Sequence, residues 1–357
     1  MRWSLTFARL GRAALACVLA GAVLAQPAAA EVAAVRPAAP GTAGGGAERQ
    51  ALDALAPQRA ARIRQLIADP EGACLPAAAA AGATAGAQAA LAAAAGVLRA
   101  SPVGAWLLAQ AAARDVLICL DPATPLAAYY YAQPRLIGVQ ASLPPAARTL
   151  FLAHELVHVP QHPRYSNDHG LPVEDLLLMH RLREATAEAI ATRVLWQMRD
   201  RGRPEPWRAK LQTGYGDIAR AFAAAMAAAG GDDRALAGEP ELRATRAAFD
   251  QWFASPLRLQ QYDSHMLDHV ERSVQDRLGL IPPRRQLSER FLAGIGWYAG
   301  ASFVTADVPQ PLTGAYYRTG LSSDNAARLA RILGAGAEQL AGEAAAAAAA
   351  DAAAPRP

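Results

Sequence analysis

The chain has 357 residues, 53% of them hydrophobic, with 35 basic and 31 acidic residues and a formal net charge of +4. The first 30 residues hold three of the arginines and no acid, so the remainder sets 32 bases against 31 acids. That balance gives no electrostatic footprint for nucleic acid or an anionic membrane surface, and the length suits one large domain or a core with an extension.

Residues 1–30 read as a signal peptide. Arg2, Arg9 and Arg12 form a positive region, residues 13–25 an apolar stretch, and Ala28 and Ala30 before Glu31 a small-residue cleavage site. The stretch falls short of the roughly 20 residues a membrane span needs, and Cys17 lacks a good lipobox. We expect an exported chain, periplasmic or secreted, with no stable span after cleavage. Residues 31–48, rich in Ala, Pro and Gly, read as a disordered linker. Cys74 and Cys119 then remain. An even pair in an exported chain favours a disulfide; two separate buried thiols are the alternative.

Residues 48–69 carry apolar side chains at helical spacing. Residues 76–96 are mostly Ala and fit either helix or loop. Residues 97–113 read as one helix. Residues 115–120 are a short apolar run ended by Asp121 and Pro122, a strand signature, and residues 135–140 read as a second strand.

Next comes Phe-Leu-Ala-His154-Glu155-Leu-Val-His158. Residues four apart in a helix share a face, so His154 and His158 can hold one zinc ion, and Glu155 can reach a water on it. Ser142 is a candidate cap, Pro144 and Pro145 suit a first helical turn, and Pro160 predicts a helix end just past His158. A zinc site needs a third protein ligand. Residues 172–198 form a second long helical pattern with His180, Glu184 and Glu188 four apart on one face. Two carboxylates at that spacing repel unless a cation lies between them. Glu184 as ligand, with Glu188 on the outer nitrogen of a bound His, fits that need; a solvated face balanced by Arg181, Arg183 and Arg193 is the alternative.

His154-Glu155-Leu-Val-His158 followed by Glu184-Ala-Thr-Ala-Glu188 resembles the gluzincin branch of the zincin metallopeptidases, and is similar to uncharacterised bacterial metallopeptidases. The resemblance covers about residues 115–200. It implies a zinc cofactor, Glu184 as third ligand, Glu188 as its outer partner, Glu155 as general base and a peptide or protein substrate. It also implies that the substrate pairs with an edge strand just upstream of the active-site helix, for which residues 135–140 are the candidate; an ordinary core strand is the alternative. Glu188 stands where Asp is frequent in that branch. Gln161 replaces the Gly of the metzincin pattern, which leaves His162 a neighbour of the site.

The polar loop 162–170 offers Asp168 and His169, in a composition typical of turns. Beyond it the pattern is helical at residues 207–229, 233–253, 257–278, 286–297 and 322–341. His265 and His269 repeat the i,i+4 spacing and are candidate transition-state donors; His180 is a further candidate around the metal. Tyr316 and Tyr317 offer phenols. Residues 343–357 read as a disordered tail. The fold expected is α+β and mainly helical: a zincin-like core with a small sheet over residues 49–202, then a helical subdomain over 203–342. A non-catalytic exported protein with a structural zinc, closed by a fourth ligand such as His180 or His162, is the rival; cell-wall cross-link peptides are another possible substrate class. Oligomeric state is not legible.

Overall fold

The computed structural model describes residues 57–68, 70, 72–79, 86–165, 171–229, 238–275, 287, 292, 294–304, 312 and 314–353. The expected signal peptide and linker lie outside these residues. The protein is mainly helical with a small sheet, an α+β arrangement.

The sheet comprises β1 (Cys74–Pro76), β2 (Leu117–Asp121), β3 (Ala128–Tyr131) and β4 (Leu136–Gln140), in the order β1-β2-β4-β3. β4 runs parallel to β2, and the outer two strands are antiparallel to their neighbours. Strand residues alternate between faces, and both faces are covered. Cys119, Tyr129, Tyr131 and Leu136 pack under α1 (Pro57–Ala68) with Ile63 and Leu66. Ile118, Leu120, Tyr130, Ile137 and Val139 join the main core on the other face. Double coverage explains strands with no polar alternation. A Cβ at residue 138 would lie 2.1 Å from the Tyr129 ring, so Gly138 lets that ring lie across the sheet, its hydroxyl donating to Asp121 Oδ2 at 2.9 Å.

Residues 135–140 are therefore not an edge strand. β4 is paired on both sides, because the chain of β3 lies antiparallel along the border that was expected to be open. Cys74 and Cys119 face each other directly across the β1–β2 ladder and are joined as a disulfide.

Residues 86–112 form two helices, α2 (Gly86–Leu98) and α3 (Pro102–Ala112). The single helix expected over 97–113 is broken because the Ser101 hydroxyl caps a new start, accepting from the Gly104 N–H at 2.9 Å, with Pro102 in its first turn. β4 leads through residues 141–144 into α4 (Pro145–Tyr165), which starts at Pro145 and not from a Ser142 cap. α4 also continues through Pro160, seven residues past His158. Val159, Pro160 and Gln161 are buried, so core packing outweighs the local preference against helix before proline.

α5 (Val173–Asp200) is buried on every side from Leu177 to Met198. It packs against α4, α6 (Glu205–Leu211), α8 (Glu239–Phe253) and α9 (Pro256–Gln275). α7 (Gly216–Ala228) is separate from α6, where one helix was expected; Gly216 sits so close to the Leu211 carbonyl that a Cβ would lie 2.4 Å from its oxygen. Trp297 opens a small hairpin of β5 (Trp297–Tyr298) and β6 (Ala301–Ser302), where the end of a helix was expected. α10 (Ala315–Arg318) precedes α11 (Ser323–Ala353), which continues through residues 343–353 of the expected tail; alanine has the best intrinsic helix propensity, and that segment is nearly all alanine. The main apolar core is continuous from Leu75 to Tyr317. Among the described residues, no helix is long and apolar enough to cross a membrane.

Candidate active site

Because α5 is buried all round, each of its charged groups must meet a partner inside the protein. Its midpoint faces α4. There His154 and His158, one turn apart, turn their Nε2 atoms to within 3.2 Å of each other. Glu184 closes the group from α5, with Oε2 3.6 Å from His154 Nε2 and Oε1 3.8 Å from His158 Nε2. Candidate ligand atoms from the three residues all lie within 4.8 Å of one another, and all three residues are buried. Zinc bonds of ~2.0–2.2 Å in tetrahedral geometry separate donor atoms by roughly 3.3–3.6 Å, so the spacing fits a first-row metal with little adjustment.

Glu184 gives a stronger sign. It is 1% exposed, and among the described residues neither of its carboxylate oxygens has a hydrogen-bond partner. A carboxylate left so deep without donors is costly unless a cation meets it. Glu155, also 1% exposed, likewise has an unpartnered Oε2. The ion-free electrostatics point the same way. Burial works against a charge on His154, yet Glu188, Glu184 and Glu155 outweigh it and raise the ring to about 10. Burial and the carboxylates of Glu184 and Glu188, against the pull of His154, lift Glu155 to about 8. Glu184 is held at about 2 despite its burial, by His158, His154 and His180. Burial lowers His158 to about 4, helped by His154 and Arg183. This acidic pocket draws positive charge, and a bound cation is the kind of charge that returns Glu155 to its ionised form.

Outer partners set which ring nitrogen faces inward. Gln161 donates from Nε2 to the Arg183 carbonyl at 3.0 Å, so its Oε1, 2.8 Å from His158 Nδ1, accepts the ring N–H. His158 then keeps a lone pair on Nε2. Glu188 Oε1 lies 3.1 Å from His154 Nδ1, a close electrostatic contact outside hydrogen-bond alignment. The other oxygen of Glu188 is bonded by the buried Lys210 of α6. Lys210 and His154 together hold Glu188 well below the usual carboxylate range, against its burial.

His180 is buried one turn before Glu184, its ring 5.8 Å from Tyr262 and 6.3 Å from His265, and burial lowers it to about 3. His265 and His269 lie on α9 and contribute no atom to the three-residue cluster. Neither does His162, which burial and Arg183 lower to about 4. The Tyr316 and Tyr317 hydroxyls are engaged with Asp250. Asp168 and His169 lie outside the described residues. Sequence reasoning missed Gln161, Lys210 and the phenols of Tyr215 and Tyr262, which lie 3.0 Å apart and are raised by burial and by the charges of Glu184 and Glu188. Only Lys210 left a signal: it is the one lysine in the chain.

No curated protein and no solved structure matches the chain. A family model does match, over residues 58–301, which takes in the sheet, both helices that carry the cluster and β5. Its description brings a hydrolase that uses a metal, and the buried His154, His158 and Glu184 are a group able to hold one. The chain belongs to the putative metallopeptidase family DUF6782.

Proposed function

We propose that the protein is an exported zinc metallopeptidase with a zincin-like core of the gluzincin type. The observation that carries this reading is the buried carboxylate of Glu184, without a hydrogen-bond donor among the described residues, facing two Nε2 atoms whose spacing suits a zinc ion. His154, His158 and Glu184 would hold the ion. When bound, zinc lowers the pKa of its water towards about 7 and polarises the scissile carbonyl.

The chain's own residues do the rest. Glu155 follows the first ligand and is buried beside the same cluster, where it accepts the proton of the attacking water and delivers it to the leaving nitrogen. Gln161 and Glu188 orient the two imidazoles. Burial of the whole group excludes bulk water, which strengthens each of these electrostatic contacts. Peptide bonds of a peptide or protein are the substrate class. The disulfide between Cys74 and Cys119 supports an oxidising compartment, in line with the signal-peptide pattern.

Elemental analysis of the purified protein beside the Glu184→Ala variant tests the reading. We expect one zinc per chain, lost or sharply weakened in the variant. A wild-type protein that takes up no zinc after reconstitution would sink the proposal.

A further inference from the structure

Two carboxylates stand one turn apart on the same face of α5, both close to His154: Glu184 Oε2 is 3.6 Å from Nε2, and Glu188 Oε1 is 3.1 Å from Nδ1. Either glutamate can ligate a metal, yet their surroundings differ. Among the described residues, neither oxygen of Glu184 has a hydrogen-bond partner. Glu188 has one oxygen bonded by Lys210, which reaches in from α6 and is 2% exposed. An ammonium so deep is costly without a carboxylate beside it.

We propose that Lys210 is a positioning residue that assigns the roles of the two carboxylates, anchoring Glu188 behind His154 so that Glu184 alone serves as the carboxylate ligand. The contacts form one line through three helices: Lys210 of α6 to Glu188 of α5, Glu188 to His154 of α4, and His154 Nε2 towards His158 and Glu184. With one oxygen tethered, Glu188 cannot swing towards Nε2 and the metal. Its other oxygen stays on the Nδ1 side and keeps His154 turned with Nε2 inward. A compact ammonium suits this buried point contact; the forked guanidinium carried by the other basic residues would need further acceptors.

This inference rests on the metallopeptidase reading, and one experiment separates the two. Cobalt(II) and zinc affinities are measured by chelator competition, with the visible spectrum of the cobalt form, for wild type, Lys210→Met, Glu188→Gln and the double variant. Circular dichroism checks that each is folded. We expect Lys210→Met to weaken metal binding about 10–100-fold and to alter the cobalt spectrum as Glu188 enters the coordination sphere. In the Glu188→Gln background, Lys210→Met should change neither readout by more than about twofold, because Lys210 acts through Glu188. Wild type that binds metal, with Lys210→Met unchanged, overturns the role of Lys210 alone. Equal losses in both backgrounds also overturn it, since they mean ordinary packing. Wild type that binds neither metal overturns the metallopeptidase reading, and this proposal with it.

Discussion

Two buried charged clusters lie one helical turn apart on α5, and they are built in opposite ways. Arg181 meets Asp263 of α9 in a two-pronged pair, at 2.7 and 2.6 Å, and its remaining nitrogen donates to the carbonyls of Tyr317 and Thr319, both at 2.9 Å. Asp263 is fully buried, and both its oxygens are used. Three residues on, Glu184 is as deeply buried and has no donor on either oxygen among the described residues. A closed set of partners fastens α5 to α9, to α10 and to the residue that follows α10. An open set leaves lone pairs convergent on one point. Burial and charge alone do not mark a functional site; unfilled bonding capacity at the end of a converging set does.

The comparison breaks first on chemistry. Glu155→Gln should lower peptidase activity by about 10²–10⁴-fold, the range for loss of a positioned general base, while zinc content stays at one per chain. Activity near wild type would remove Glu155 from the mechanism. On the clamp side the prediction inverts. Asp263→Ala strands a buried guanidinium and should cost about 3–5 kcal/mol in denaturant unfolding, with zinc per folded chain unchanged. If this variant instead loses its zinc at unchanged stability, the division between clamp and site fails. A covalent counterpart sits further away, in the sheet. Replacing Cys74 and Cys119 by serine should cost about 4 kcal/mol for a loop of 45 residues, again without affecting metal uptake.

The division also explains what could be read before the structure. His154, His158 and Glu184 were legible because a helix repeats every 3.6 residues, and because two carboxylates four apart call for a cation between them. Gln161 and Lys210 were hidden for different reasons. Gln161 looked like a mere departure from another motif, and its bond to the Arg183 carbonyl is a tertiary fact. Lys210 lies 22 residues beyond Glu188, on a helix whose docking no local pattern specifies. The strand order failed similarly. Residues 135–140 read as a strand, but their position inside the sheet depends on Tyr129–131 returning beside them, and a wholly buried strand shows no alternation to announce itself. Pro160 misled because its local preference is weaker than the burial of the turn around it.

Protons offer the finest test. In the metal-free protein the carboxylates around His154 raise its ring from 6.5 to about 10. A folded-state value above the unfolded one means the protonated ring stabilises the metal-free fold. That contribution is complete below pH about 6.5 and is lost as pH rises through about 10. Glu155, raised to about 8, also holds a proton at pH 7 in that state. A divalent ion must displace the first proton to reach the ring and, by its charge, drives off the second. Zinc binding at pH 7 should therefore release at least two protons, and between pH 8 and 10 the ring proton together with one from the zinc-bound water, whose own pKa falls towards about 7. Affinity should rise by at least tenfold per pH unit across that range, about 1.4 kcal/mol each. Calorimetry in buffers of different ionisation enthalpy counts the protons directly. Glu155→Gln should lower the count at pH 7 by about one, whereas Asp263→Asn should leave it unchanged because the clamp holds no proton that the metal displaces. A count near zero in wild type would mean that His154 is already neutral, and that the site is not the acidic, cation-seeking pocket its geometry describes.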